Sequence, residues 1–302
     1  MIFAYHRVLR EHDSLVPGLP TAERFERQLQ WIRRFCNPLP LAEAVQRLRA
    51  GTLPARALSV TFDDGYADNL EVATPLLRKY QIPAVVFVTV DAVERGFMWN
   101  DLLIEAVRAA QGEIDASEVG LGRLPVDDAN RLEVFRRLTA SVKYRPIAER
   151  LRLSEILYVN ACRDVMPRQM LRPDQLKELL GAGIDIGAHT VNHPILTLLD
   201  DSEARAEIEN SRTWIAGQTG RVPRLFAYPN GRRNDDYDSR HAEIVRSLGF
   251  EAAVSTNWGC ATRRSSLYEL PRFKPWEDNA TGFCSRLCKV VLRSYFPHPS
   301  RE

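Results

Sequence analysis

Seven short apolar segments alternate with helical patterns along the chain, and this alternation restricts the fold more than any other feature. Segments that are apolar nearly throughout are typical of parallel strands buried on both faces. Strands that alternate with helices indicate βαβ units, and seven of them favour an α/β fold with an incomplete barrel over a small open sheet. The predicted strands are Ile2–Tyr5, Leu58–Phe62, Ala84–Val90, Ile184–Ala188, Leu225–Tyr228, Ala252–Ser255 and Leu270–Phe273.

One stretch interrupts the alternation. Residues 96–172 contain two helical patterns, Trp99–Gln111 and Ala129–Asn160, with no clear strand between them. We therefore predict a single domain over residues 1–302, with a helical insertion at about 96–172 and a poorly defined C-terminal tail at about 276–302. The helices predicted outside the insertion are Thr21–Phe35, Asp68–Tyr80, Asp174–Leu180, Ser202–Gly217 and Ser239–Leu248.

The overall composition excludes several classes of protein. The formal charge is +2 over 302 residues and no nucleic-acid-binding motif is recognisable, so we predict no nucleic-acid partner. No apolar run reaches the ~20 residues of a membrane span, and the first residues lack the pattern of a signal peptide. Five scattered cysteines fit a reducing compartment. From these features we expect a cytoplasmic protein.

The insertion is strongly basic between residues 131 and 172. This part has ten Lys or Arg residues against four Asp or Glu residues. A solvated helix face explains such a run, and so does a surface for anionic lipid headgroups or a phosphate-bearing substrate. The second explanation places the protein peripherally at the inner membrane face, with contacts from Arg136, Arg137, Arg150 and Arg152.

The segment Ser59–Gly65 is the most informative local motif. It ends a predicted buried strand with two adjacent carboxylates, Asp63 and Asp64. In barrels of this type the carboxyl ends of the strands are where active sites form. Adjacent residues there point in different directions, so one acid can bind a metal while the other faces the substrate. A surface turn is the alternative, because Asp-Gly is common in turns.

A second motif, His189–His193, follows the predicted strand Ile184–Ala188 and places two histidines four residues apart. Two imidazoles at a strand end can converge on one ion. With one carboxylate they form a His₂Asp set that is typical of catalytic zinc. The alternative is a pair of loop histidines that share no ligand.

Thr61–Gly65 and His189–His193 together resemble the first two motifs of the polysaccharide deacetylases, the NodB-homology domains of carbohydrate esterase family 4. Phe226–Gly231 is similar to their third motif, and the order and separation of the three agree. The resemblance spans roughly residues 1–273. It implies a distorted (β/α)₇ barrel and metal-dependent hydrolysis of an N-acetyl group on a sugar, less often of an O-acetyl or N-formyl group.

The resemblance also implies roles for individual residues. Asp64, His189 and His193 match the metal ligands, and Asp63 matches the general base that deprotonates the attacking water. The third motif suggests the backbone N–H of Asn230 as the donor to the developing oxyanion. The ion would be divalent, with Zn²⁺ as the first choice and Co²⁺, Ni²⁺ or Mn²⁺ as alternatives.

Two departures from the family pattern concern the arginine that orients the base and the residue that acts as general acid. Most members have an arginine in the third motif that orients the base aspartate, where this chain has Ala227. Arg272, in the last predicted strand, either supplies that charge or is a surface arginine at a strand edge. The late Leu-His motif that provides the general acid is not evident, and His298 lies in a polar tail that we expect to fray.

His6 is the better candidate for the general acid. It follows the first predicted strand directly, so it would reach the same rim as Asp63 and His189. The family branch that deacetylates poly-N-acetylglucosamine has a histidine near its N-terminus, and this chain is similar to that arrangement. Histidine also exchanges protons readily near neutral pH. The alternative is a strand-end histidine with only a capping role.

These residues favour a metal-dependent hydrolase that removes an N-acetyl group from an amino sugar in a polysaccharide or a cell-envelope glycan precursor. The sugar would rest on Tyr228 and Trp258, unless these are core aromatics. A deformylase or deacetylase of a lipid-linked sugar is the first alternative, supported by the basic insertion. A non-catalytic carbohydrate-binding barrel is the second, supported by Ala227. The partner is therefore an N-acetylated sugar polymer or a lipid-linked sugar, and the oligomeric state is left open.

Overall fold

Parallel strands form the centre of the molecule. The computed structural model describes residues 1–162 and 164–295, so His298 lies outside the described residues. The strands are β1 (Ile2–Tyr5), β2 (Asn37–Pro38), β3 (Ala57–Phe62), β4 (Ala84–Val88), β5 (Gly112–Ala116), β6 (Gly122–Val126), β7 (Asp185–Ala188), β8 (Leu225–Ala227) and β9 (Ala252–Val254). The main sheet has the order β1-β3-β4-β7-β8-β9, and β2 pairs with the start of β3.

The strands of the main sheet are buried as their composition predicts. All residues of β3 and β4 are buried, and every pairing in this sheet is parallel. The predicted strand Ala84–Val90 is two residues too long. It ends at Val88, because Thr89 donates its N–H to the carbonyl of Asp64 (3.1 Å) and a helix begins at Val90.

The segment Leu270–Phe273 joins the last strand of the sheet to the first. Leu270 exchanges backbone hydrogen bonds with Ala253 and Ser255 on one side, each 2.9 Å long. On the other side Phe273 donates to Ile2 (3.1 Å) and accepts from Ala4 (3.0 Å). The segment makes isolated bridges rather than a full strand. Together with the six strands β1, β3, β4, β7, β8 and β9, this segment gives the described barrel seven parallel strand positions. This arrangement confirms the predicted distorted (β/α) barrel.

Helices surround the barrel. They are α1 (Ala22–Phe35), α2 (Leu41–Ala50), α3 (Thr74–Lys79), α4 (Val90–Arg95), α5 (Trp99–Ala109), α6 (Arg131–Val142), α7 (Ile147–Ala161), α8 (Gln175–Gly181), α9 (Asp201–Thr219), α10 (Ser239–Ser247) and α11 (Ala280–Tyr295). The start of α1 follows from its N-cap, because the hydroxyl of Thr21 accepts the N–H of Arg24 (3.3 Å). Phe25, Leu29 and Ile32 then face the core at helical spacing.

The insertion contains a hairpin that the sequence interpretation missed. β5 and β6 pair antiparallel between α5 and α6, so the expectation of no strand in this stretch is wrong. The pattern Ala129–Asn160 is two helices, α6 and α7, separated at Pro146. Together these elements enclose an apolar core of their own, which includes Leu103, Val107, Ile114, Leu124, Leu138 and Leu157.

The C-terminal part of the described chain forms α11, within the stretch that the sequence predicted as a poorly defined tail. Phe283 of α11 packs edge-to-face against Phe3 of β1 (centroids 5.9 Å apart) and contacts Trp31 of α1. Within the described residues, none of the helices combines the length and the apolar character that a membrane span requires.

Candidate active site

The two adjacent carboxylates at the end of β3 point to different partners. The N–H of Asp63 still follows the sheet and donates to the carbonyl of Tyr5 (3.0 Å). At Asp64 the backbone turns into the left-handed region, with φ at 76°. This turn separates the two side chains, and both are almost completely buried.

Asp64 lies beside the two histidines of the second motif. Its Oδ1 is 3.6 Å from Nε2 of His189 and 3.6 Å from Nε2 of His193. Ligand atoms at ~2.0–2.1 Å from a tetrahedral ion lie about 3.3 Å apart, so the spacing fits one shared divalent ion. Within the described residues Oδ1 has no hydrogen-bond partner although it is buried. The donor set and this unpaired oxygen therefore fit a metal site.

Burial strongly affects the protonation of this cluster. Burial, with the nearby charges of Asp63 and Asp101, raises the pKa of Asp64 to about 8. Burial lowers the pKa values of His189 and His193, so both imidazoles are neutral at neutral pH and can offer a lone pair to a cation. A cation bound between the three side chains would favour the ionised form of Asp64.

The carbonyl of Ala227 orients His189. Nδ1 of His189 lies 2.7 Å from this carbonyl oxygen, which can only accept, so the ring proton is on Nδ1 and the lone pair is on Nε2. Nε2 is the atom that faces Asp64. Ala227 stands where the family pattern has an arginine, and its backbone thus has a function that its side chain does not reveal.

The loop that carries His193 has an unusual backbone. Thr190 and His193 have φ values of 66° and 52°, in the left-handed region that non-glycine residues seldom adopt. The hydroxyl of Thr190 accepts the N–H of His193 (3.1 Å) and stabilises this turn. The rings of His189 and His193 meet edge-to-face, with centroids 5.0 Å apart.

Arg272 pairs with Asp63 in the barrel interior. Its Nη1 and Nη2 donate to Oδ1 and Oδ2 of Asp63, each at 2.7 Å, and its Nε donates to the carbonyl of Ser255 (2.9 Å). Burial alone would raise the pKa of Asp63, but the charges of Arg272 and His189 and the hydrogen bonds from Arg272 hold this pKa well below its usual range. Asp63 is therefore ionised and fixed in orientation. Of the two alternatives for Arg272, the structure matches the one beside Asp63, since the side chain is fully buried.

His6 follows β1 directly and lies near the charged groups of the site. Burial and the nearby ammonium of Lys274 lower the pKa of His6 to about 3. The imidazole is therefore neutral at neutral pH. Its backbone carbonyl accepts from the side chain of Asn69 (2.8 Å), which fixes the end of the strand.

The third motif forms a tight turn that exposes one backbone donor. Asn230 and Gly231 have φ values of 56° and 76°, and a Cβ on Gly231 would lie 2.9 Å from the nitrogen of Thr256. The carbonyl of Asn230 accepts from the Thr256 hydroxyl (2.6 Å). Within the described residues the N–H of Asn230 donates to no acceptor, so it is free to bind a ligand.

The two aromatic candidates lie in different surroundings. Tyr228 is fully buried, stacks on Tyr237 (centroids 3.8 Å apart) and donates to the carbonyl of Tyr268 (2.8 Å). It therefore occupies the core. Trp258 is 41% exposed and lies under the guanidinium of Arg293 on α11.

The basic run of the insertion is not one surface. Arg136, Arg137 and Arg152 are exposed, whereas Arg150 is only 4% exposed and lies over the ring of Trp99. The inclusion of Arg150 in a membrane-facing patch is therefore wrong. The reason is that α7 directs this side chain towards the His189–His193 loop.

Several residues near the site were missed from the sequence. Tyr66 donates to the buried carboxylate of Asp101 (3.0 Å), whose charge acts on Asp64. Lys274 follows Arg272 by two residues and acts on His6. Lys274 directly follows the last predicted strand, and this position at a strand end is the signal that indicates a place near the site. Nothing in the sequence pattern singles out Tyr66.

Comparisons with known proteins give a consistent result. The model of a family described as Polysaccharide deacetylase matches residues 50–253, about two thirds of the chain. YxkH of Bacillus subtilis (strain 168), named as a polysaccharide deacetylase, is 22% identical over 275 residues, which are 90% of this chain and 70% of that protein. The poly-beta-1,6-N-acetyl-D-glucosamine N-deacetylase of Staphylococcus aureus (strain MSSA476) is 25% identical over 177 residues. The match covers 54% of this chain and 58% of that enzyme, so the chain spans less than two thirds of it.

A solved structure shows the same fold. The deacetylase PplD of Streptococcus pyogenes, solved in complex with acetate, superposes with a TM-score of 0.64 at 20% identity. The superposition covers 96% of both chains, so the likeness includes the barrel and most of the insertion.

Proposed function

The chain belongs to the polysaccharide deacetylase family, and we propose that it is a metal-dependent hydrolase that removes an N-acetyl group from an amino sugar in a polysaccharide or a cell-envelope glycan precursor. The observation that carries this proposal is the cluster of Asp64, His189 and the partly buried His193 beside the ionised Asp63. A ligand set next to a separate, oriented carboxylate is suited to hydrolysis, whereas binding a sugar needs no such carboxylate.

Asp64, His189 and His193 would hold a divalent ion, with Zn²⁺ as the first choice. When bound, such an ion makes water easier to deprotonate and polarises the acetyl carbonyl. The chain contributes the geometry. Ala227 fixes the His189 ring, and the Thr190 hydroxyl fixes the backbone at His193.

Asp63 would remove the proton from the attacking water. Its carboxylate is ionised at neutral pH and held by two hydrogen bonds from Arg272, so it is ready to accept a proton without reorientation. The N–H of Asn230, which donates to no acceptor within the described residues, would stabilise the negative charge that develops on the acetyl oxygen. Both groups belong to rigid positions, a strand end and a tight turn.

His6 would donate the proton that the leaving amine needs. Because its resting pKa is about 3, the imidazole must gain this proton during the reaction. Negative charge that develops next to the ring raises its pKa and favours that gain. The imidazole takes this proton from solvent, and the proton that Asp63 removes from the attacking water returns to solvent after turnover, so the cycle balances.

An N-acetylated polymer is the substrate class favoured by the relatives. The Staphylococcus aureus relative is named for poly-beta-1,6-N-acetyl-D-glucosamine, and its similarity covers 54% of this chain. A lipid-linked sugar is the second candidate, because Arg136, Arg137 and Arg152 are exposed on the insertion. These arginines suit anionic headgroups at a membrane surface.

The test is acyl release by protein reconstituted with Zn²⁺, followed by mass spectrometry. The panel contains N-acetylglucosamine oligomers, a UDP-linked sugar and a lipid-linked sugar, with Asp63→Asn as control. We expect the loss of one acetyl group from the oligomers, abolished by chelator and by the substitution. Release from the lipid-linked sugar alone would favour the second candidate. Binding of oligomers without release from any substrate would favour a carbohydrate-binding barrel.

Membrane contact is tested separately by co-sedimentation with anionic vesicles. We expect that neutralising Arg136, Arg137 and Arg152 weakens any such binding and that added salt does the same. Failure of the protein to sediment with vesicles at low salt would exclude the membrane surface without affecting the deacetylase proposal.

A further inference from the structure

The loop between the two histidine ligands is held by two oppositely charged side chains. Glu207 of α9 accepts the N–H groups of Val191 and Asn192, each at 2.9 Å, and the side-chain amide of Asn192 at 2.6 Å. Nη2 of Arg150 on α7 donates to the carbonyls of Asn192 (3.0 Å) and His193 (3.1 Å). One side chain thus binds the donors of the loop and the other binds its acceptors.

Arg150 of α7 is a charged side chain that is almost completely buried. It is 4% exposed, and within the described residues its side-chain hydrogen bonds go to backbone carbonyls and not to a carboxylate. Its Nε is buried and has no partner in the part of the chain that the structure describes, and its guanidinium lies 5.1 Å from the ring centroid of Trp99. Burying a charge that no carboxylate pairs with directly is costly. The hydrogen bonds to the two loop carbonyls are what offset this cost for Arg150.

The loop needs external support. Thr190 and His193 are both held in the left-handed region, where a side chain with a Cβ is strained. Strain of this kind persists only when surrounding contacts fix it. His193 is the ligand at the end of this turn, so a relaxation of the loop would move its imidazole away from Asp64.

We propose that Arg150 and Glu207 are positioning residues that clamp the His189–His193 loop in the geometry required for metal binding. The inference rests on the proposed metal site and extends it to the insertion, because α7 supplies Arg150. The insertion then contributes to the metal centre without providing a ligand. Groups that orient metal ligands typically change metal affinity 10- to 100-fold when they are removed.

The test measures the dissociation constant of Zn²⁺ by calorimetry and the visible absorption spectrum with Co²⁺. The variants are Arg150→Met, Glu207→Gln and the double substitution. Arg152→Met and Glu209→Gln are matched controls, because both residues are exposed on the same two helices. Unfolding of each metal-free variant in denaturant separates metal affinity from stability.

We expect each clamp variant to bind Zn²⁺ about 10- to 100-fold more weakly, with an altered Co²⁺ spectrum, while both controls match the wild type. The double variant should lose less than the two single effects combined, because both residues act on one loop. Arg150→Lys should recover part of the affinity.

Wild-type affinity and spectrum in Arg150→Met and Glu207→Gln would overturn the clamp. If Arg150→Met does not fold, Glu207→Gln against Glu209→Gln provides the comparison, and wild-type affinity in Glu207→Gln would then overturn the clamp. Failure of the wild type to bind Zn²⁺ or Co²⁺ would instead refute the proposed metal site, and the clamp with it.

Discussion

The guanidinium of Arg272 and the carboxylate of Asp63 form two parallel hydrogen bonds, each 2.7 Å long, in the barrel interior. The arginine comes from the segment that links the last strand to the first, not from the third motif. In that motif Ala227 uses its backbone carbonyl to orient His189. In most family members an arginine of the third motif orients the base aspartate. In this chain Arg272 orients Asp63, and the third motif orients His189 instead.

Arg272→Met should destabilise the protein by ~3–5 kcal/mol, because it leaves the charge of Asp63 buried without a partner. Denaturant unfolding of the metal-free protein measures the change. Arg264→Met is the control, since Arg264 is exposed and should change stability by less than ~0.5 kcal/mol. The double variant with Asp63→Asn should be less destabilised than the two single losses combined. Equal losses from Arg272→Met and Arg264→Met would contradict the importance of the pair.

Asp63→Asn should lower deacetylation about 10²- to 10⁴-fold while the affinity for Zn²⁺ is retained. The amide oxygen can still accept from Arg272, but the side chain no longer takes up a proton. Asp64→Asn should instead remove most of the Zn²⁺ affinity, because it replaces a ligand. Acyl release and calorimetry on both variants distinguish the two roles. If both substitutions affected Zn²⁺ binding equally, the separation of roles between Asp63 and Asp64 would be wrong.

The sequence predicted correctly where β3 and β7 end, because a chain reversal after a buried strand leaves a clear pattern. Asp63, Asp64 and His189 come together for this reason. The contact between the Ala227 carbonyl and His189, and the burial of Arg150, could not be predicted from the sequence. The contribution of Ala227 is a carbonyl, which every residue has, and the burial of Arg150 depends on how α7 packs on the barrel.

The hairpin of the insertion was missed although its pattern was present. Ile114 and Ala116 are buried and alternate with exposed neighbours, as do Leu124 and Val126. This alternation is typical of a half-buried strand. Pro125 counts against a strand, but it lies in a two-stranded sheet, in which each strand has a free edge and a missing N–H is tolerated.

The affinity for a divalent ion should increase with pH between about 6 and 8. Burial raises the pKa of Asp64 to about 8, so below that pH the ion must displace a proton. The pKa values of His189 and His193 are lowered, so these residues are neutral over the same range and do not compete. The dissociation constant of Zn²⁺ should fall about tenfold per pH unit well below pH 8.

Calorimetry in buffers of different ionisation enthalpy should show release of about one proton per ion bound at pH 6 to 7. Asp64→Asn has no proton to release, so its residual affinity should not change over this range. An equally steep pH dependence in Asp64→Asn would assign the titration to another group.

Gly187→Ala should destabilise the protein by ~1–3 kcal/mol, because β7 packs too closely for a side chain at this position. A Cβ on Gly187 would lie 2.3 Å from the ring of Phe87 and 3.0 Å from the carbonyl of Leu225. Both neighbours belong to adjacent strands, so neither can move without disturbing the barrel.

Gly217→Ala is the matched control, since Gly217 is in α9 with nothing within 4 Å of a Cβ. Alanine there should stabilise the helix by ~0.5–1 kcal/mol. Denaturant unfolding compares the two, and a destabilisation of the same size at both positions would show that close packing of β7 is not the cause.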